Sequence, residues 1–138
     1  MEWGVDGVSN DTSASSPLPA TVRGSTADPV DGTGTAAPVK FARIFATADG
    51  DNTLVAAVTS KKIRVIGYKV QLTGVGTAVF KSGAGTSLAD VVADGNAGGA
   101  SYAGSLLSPA FETAAATALV INNPTGIDTL GHLSYVEV

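Results

Sequence analysis

Between Asp49 and Gly83 the chain reads DGDNTLVAAVTSKKIRVIGYKVQLTGVGTAVFKSG. Two runs rich in β-branched residues flank a Lys61-Lys62 turn, and a turn punctuated by Gly74 and Gly76 leads into a third. Such runs bounded by turn residues predict strands, here an antiparallel meander to which the rest of the chain is attached. Lys61 to Leu72 is too regular for a loop and too β-branched for a helix. Its alternation changes phase: Ile63 and Val65 share one face, Ile66, Tyr68, Val70 and Leu72 the other, with Gly67 at the changeover. That favours a bulge near Gly67; the alternative is a strand covered on both faces, the outer one by a neighbouring subunit.

Residues 1–38 hold four of the six prolines among Gly, Ser, Thr, Ala and Asp, a composition that cannot bury enough apolar surface to offset its ordering entropy. An extended arm is expected, ordered on a partner, with Trp3, Val5, Leu18 and Val22 as its apolar anchors and Val8 beside them. Residues 39–138 form the second unit. It opens with VKFARIFAT, where Phe41 and Phe45 are core candidates; Asp49 to Asn52 is a turn and Thr53 to Val58 a strand. Val79 and Phe80 fall on opposite faces of the next strand. Ser82 to Pro109 reads as a long Gly- and Ala-rich loop with one apolar run at Leu88 to Ala93, and a loop of that length in a compact domain is usually functional or interfacial. Strands are expected again from Phe111, at TALVIN and from Gly131 to Val138. Helix is nearly absent, since the Ala-rich window from Phe111 to Leu119 has no apolar stripe. These elements predict an all-β fold, an antiparallel β-sandwich of jelly-roll type with roughly eight strands.

Chemistry is hard to find. Cysteine is absent and His132 is the single histidine, so zinc chemistry and a nucleophile–histidine triad lack their parts. As a lone strand histidine, His132 is a packing or hydrogen-bonding residue rather than a base. Asp49-x-Asp51-x-Thr53 starts like a calcium loop, but Leu54 stands where the loop needs Gly and no bidentate Glu follows. Asp90 and Asp94 read as solvated acids, and Gly83-Ala84-Gly85 lacks the third Gly of a phosphate loop. No enzyme is expected, with no catalytic residues, cofactor or metal. The N-terminus has neither a basic nor an apolar leader segment, and no apolar run is long enough to span a bilayer, so a soluble chain with no membrane partner is expected.

Only 14% of residues are charged, a low value that suits a surface covered by other protein. The charge is segregated. Glu2, Asp6, Asp11, Asp28 and Asp31 oppose Arg23 alone in residues 1–38; Lys40, Arg43, Lys61, Lys62, Arg64, Lys69 and Lys81 oppose Asp49 and Asp51 in residues 39–81; five acids stand unopposed thereafter. The basic stretch has no nucleic-acid-binding motif and few aromatics for stacking, so no nucleic-acid partner is expected. Lys61, Lys62, Arg64 and Lys69 are candidates for contacts with a neighbour's acidic arm, or else solvated charges that guard strand edges.

Two segments resemble known proteins. Trp3 to Pro19 (WGVDGVSNDTSASSPLP) is similar to the GxDG…DTSxxxPLPV segment of many small virion proteins of tailed bacteriophages. The runs Gly50 to Val58, Lys61 to Val65, Phe80 to Gly83, Phe111 to Ala114 and Gly131 to Val136 resemble a β-sandwich module of the same genomes; residues 82–110 are outside the resemblance. It implies a structural virion protein made in the host cytoplasm and carried on the capsid surface, a decoration or cement protein. The major capsid protein and further copies of the chain, as a homotrimer, are the implied partners. The alternative is a fibre or tail module that binds host surface glycan or protein through residues 82–110. A cellular carbohydrate-binding module would want exposed aromatics, for which Tyr102 alone is a thin platform.

Overall fold

The computed structural model describes residues 37–95 and 98–138, and the arm anchors Trp3, Val5, Leu18 and Val22 lie outside the described residues. Nine strands form there: β1 (Lys40–Ala46), β2 (Gly50–Val55), β3 (Ile63–Leu72), β4 (Gly76–Ser82), β5 (Thr86–Ala93), β6 (Gly98–Ala103), β7 (Phe111–Glu112), β8 (Leu119–Asn123) and β9 (Thr129–Glu137). No helix occurs among the described residues. One sheet has the order β1-β9-β3-β6, with β7 also on β3; the other runs β2-β8-β4-β5, and every pairing is antiparallel.

The inner faces of both sheets feed one cluster. Ile44, Ile63, Val65, Leu72 and Leu133 come from the first sheet and Phe80, Val91, Leu119 and Ile121 from the second, all at most 1% exposed. Burying each such side chain contributes roughly 1.5–3 kcal/mol. Phe80 crosses the gap between sheets, its ring 5.2 Å from Tyr68 on β3 and 4.9 Å from Phe111 on β7.

The bulge expected near Gly67 is present. Ser134 faces Gly67 but Tyr135 faces Val65, leaving Ile66 unmatched on β3. The extra residue resets the alternation, so that Ile63 and Val65 before it and Val70 and Leu72 after it reach the same core.

Three expectations are corrected. The stretch from Asp49 to Gly83 is not a meander: β2 and β4 belong to one sheet and β3 to the other, so β2 does not pair with β3, nor β3 with β4. Alternation dictates which face a strand buries; it is silent on whether the next strand lies beside it or across the core. The three-residue turn Thr73 to Val75 arches across, tied by the Thr73 amide to the Asp128 carbonyl at 3.0 Å and the Asp128 amide to Thr73 Oγ1 at 3.0 Å.

Residues 82–110 are not one long loop, because they contain β5 and β6. β4 and β5 make a hairpin through Gly83, whose φ of +62° suits glycine. β6, sequence GGASYA, has weak β-propensity and is placed by its partner instead: a Cβ at Gly99 would collide with the Val70 carbonyl, so glycine is what lets β6 close on β3.

Phe41 and Phe45 are not core residues. Ile44 and Ala46 of β1 are buried, whereas Phe41 is 78% and Phe45 57% exposed. The inward positions of β1 hold Ala42, Ile44 and Ala46, so the bulkier residues of this strand are on the outer face.

Candidate interaction surface

Register builds a continuous outer face on the β1-β9-β3-β6 sheet. Arg43 faces His132, which faces Lys69, which faces Ser101. Beside this row run Phe45, Leu130, Gln71 and Gly99 on one side, and Phe41, Ser134, Gly67 and Ala103 on the other. Neighbouring strands lie about 4.8 Å apart, so Arg43, His132 and Lys69 form a line across three strands with a fixed positive charge at each end. All three are exposed, and neither Arg43 nor Lys69 forms an ion pair with another described residue. The Arg43 guanidinium stacks over the Phe45 ring, 4.2 Å from its centroid, in a cation–π contact that holds both side chains up from the sheet.

Two hollows open on this face. A groove of about 500 Å³ is lined by Lys69, Gln71, Thr73, Leu130 and His132, and a second of about 300 Å³ lies between Phe41, Ser134, Gly67 and Ala103. The face thus pairs exposed aromatic edges with a basic floor. It suits an acidic segment carrying apolar side chains.

The other basic candidates are placed differently. Lys62 Nζ is 3.0 Å from Glu112 Oε1 and Arg64 Nε 2.7 Å from Glu112 Oε2, so one carboxylate holds both cations within the chain. Lys61 is bound through its backbone, its carbonyl accepting from the Ala116 amide at 2.8 Å. Lys69 alone of the four lies on the outer face just described. Burial opposes ionisation of Glu112, but hydrogen bonds from Lys62 and Arg64 outweigh it and hold the carboxyl below its ordinary value. Such a group contributes stability above its unfolded pKa and loses it as pH falls through the folded one. Glu112→Gln should therefore flatten the acid limb of stability, by up to about 1 kcal/mol for a pair this exposed. Chemical denaturation at pH 7 and pH 3 would measure it; an unchanged difference between the two pH values would remove Glu112 from the account.

The remaining acids do not converge. Asp51 accepts hydrogen bonds from Asn122 and Lys81, the Lys81 Nζ lying 3.0 Å away, and these hold its carboxyl low; Asp49 Oδ1 accepts from the Gly126 amide at 2.8 Å. The supposed start of a calcium loop is thereby spent on a lysine, an amide side chain and a turn. Asp90 and Asp94 are both exposed. No group of three or more His, Cys, Asp or Glu that could hold a metal occurs among the described residues, and no helix of the described residues is long and apolar enough to cross a membrane.

A second exposed feature interrupts the sheet edge. Between β6 and β7 the chain leaves β3 at Gly104, whose amide donates to the Ile66 carbonyl, and returns at Ala110, whose amide donates to that of Val65. The excursion is a tight turn: Ser105 and Ser108 exchange backbone hydrogen bonds at 3.1 Å, and the Tyr102 hydroxyl donates to the Ser108 carbonyl at 3.1 Å. At its tip Leu107 is 96% exposed. Tyr102, half-buried and bonded here, offers no open platform.

Compared with known protein families, curated proteins and solved structures, the chain has no match.

Proposed function

We propose that this chain is a non-catalytic structural protein of a tailed-bacteriophage virion, a decoration or cement protein carried on the capsid surface. The observation that carries the reading is the outer face of the β1-β9-β3-β6 sheet, where Phe41, Phe45 and Leu130 border the line of Arg43, His132 and Lys69, whose two fixed charges have no ion-pair partner among the described residues. An exposed apolar patch rimmed by charge is a mark of protein contact. The resemblance of Trp3 to Pro19 and of the strand-forming runs to small virion proteins supplies the setting. The strand orders fit a jelly-roll sandwich: with β6 and β7 counted as one lane, the lanes run first-eighth-third-sixth and second-seventh-fourth-fifth, the order of two interlocked Greek keys.

In this reading the acidic arm lies across a neighbouring copy or the major capsid protein, with Trp3, Val5, Leu18 and Val22 as anchors, and the copies associate as a trimer. Lys61, Lys62, Arg64 and Lys69 remain the basic side of such contacts, Lys69 with the freest approach. Deleting residues 1–36, which spares the buried Ala37, should abolish binding to capsids while leaving a folded β body. Trp3→Ala should weaken binding by about 2 kcal/mol or more, as loss of a buried aromatic anchor does. Normal capsid occupancy by the truncated chain would reject the arm as the attachment device.

A second reading is favoured by the pinned tip at Leu107: a fibre or tail module that touches host glycan or protein through residues 82–110, now narrowed to Ser105 to Pro109. Copy number separates the two. Quantitative densitometry of purified virions should find hundreds of copies for a cement protein and a few for a fibre.

A further inference from the structure

We infer that the outer face of the β1-β9-β3-β6 sheet is the seat for the acidic N-terminal segment of a second copy of this chain, with the line Arg43–His132–Lys69 as its anion-reading floor. The inference deepens the assembly reading above and rests on it.

Two fixed positive charges with no ion-pair partner among the described residues attract an acidic partner. Arg43 and Lys69 flank His132 on both sides, and the two lanes beside them supply no acid: the residues there are Phe41, Phe45, Leu130, Gln71, Ser134 and small residues. A counter-charge from outside would pair with both. Phe41 and Phe45 border the line on β1, so the visiting segment must bring apolar groups as well as acids.

The N-terminal arm opens with a segment of that composition. Residues 2–11 carry Glu2, Asp6 and Asp11 with Trp3, Val5 and Val8, and no basic residue. Length puts the face of another copy within reach, and the acidic arm and the basic face are present on every copy, so the contact is self-complementary between copies. Ala37 enters the fold beside β1, and four strands at about 4.8 Å span only some 15 Å, which about five extended residues cover. Trp3 is 34 positions before Ala37, a reach on the order of 100 Å if extended, far more chain than its own face requires.

The chain has no cysteine, so single cysteines can be placed without background. Full-length Ser9→Cys is mixed with full-length Gln71→Cys, whose site is exposed on the face, and oxidised mildly. The control partner is Thr77→Cys, exposed on β4 of the other sheet. A disulfide-linked heterodimer is expected in at least tenfold higher yield with Gln71→Cys than with the control. The yield should fall severalfold in 1 M salt, where charge attraction is screened within about 3 Å. Adding Arg43→Glu and Lys69→Glu to the face partner should reduce it about tenfold, and Glu2→Lys with Asp6→Lys in the arm partner should restore it. Equal yields with both partners would overturn the inference. So would a disulfide that forms only within one chain when Ser9→Cys and Gln71→Cys are combined. Failure of this contact is distinct from failure of the virion reading: cross-linking without virion occupancy sinks the latter, and occupancy without cross-linking sinks the former.

Discussion

Phe80→Ala is expected to destabilise the β body by about 3–5 kcal/mol, the usual cost of emptying a fully buried phenylalanine site. Phe80 is 0% exposed, and its ring meets Tyr68 and Phe111 from the opposite sheet, so truncation leaves a void that neither sheet can close alone. Domains of this size are stable by only about 5–15 kcal/mol, and each kcal/mol moves the melting temperature by roughly 4–8 °C. A fall in Tm of about 12 °C or more should follow, read by thermal unfolding. Phe45→Ala is the informative partner experiment. With Phe45 57% exposed on the outer face and stacked under Arg43, its loss should cost less than about 1 kcal/mol. Equal costs at the two sites would mean that β1 presents its aromatic face inward after all.

That contrast also shows what the sequence could and could not convey. In KFARIFA the odd positions Phe41, Arg43 and Phe45 share a face and Ala42, Ile44 and Ala46 share the other. Size favours the phenylalanines as core, but Arg43 stands between them, and a buried unpaired guanidinium is far costlier than two exposed rings. The arginine was the legible signal for an outward face. The bulge was legible for a related reason: the β3 phase change at Gly67 is a covalent property of the chain, visible without partners. β6 was not legible, because GGASYA has no local preference for strand; its conformation is imposed by β3, which only the folded chain brings near. The arched connection at Thr73 to Val75 was hidden likewise, since the Asp128 backbone that holds it lies 55 residues away. The line across the outer face is the extreme case. Arg43, Lys69 and His132 come from three separate strands, and only register aligns them.

Asn123 should be the most sensitive polar position. It is 3% exposed at the end of β8, where its Nδ2 donates to the Ala46 carbonyl at 2.7 Å and to that of Ala48 at 3.2 Å, while its Oδ1 accepts from Thr129 Oγ1 at 2.7 Å. One side chain thereby ties the end of β1 and the start of β9, in one sheet, to β8 in the other. Asn123→Ala leaves a buried carbonyl and a buried hydroxyl without partners, and should cost about 2–4 kcal/mol at the usual price of unsatisfied groups. Asn123→Asp makes the test directional. An ionised carboxylate would face the carbonyls of Ala46 and Ala48, so burial and those dipoles raise its folded pKa above the unfolded value. The protonated form can still donate to Ala46. Stability of that variant is therefore fullest below the unfolded pKa and is lost as pH rises towards the folded one, opposite in sign to the Glu112 contribution. Urea unfolding at pH 4 and pH 7 should find Asn123→Asp closer to the parent chain at the lower pH. A deficit that grows on acidification instead would show that the amide does not donate to these carbonyls.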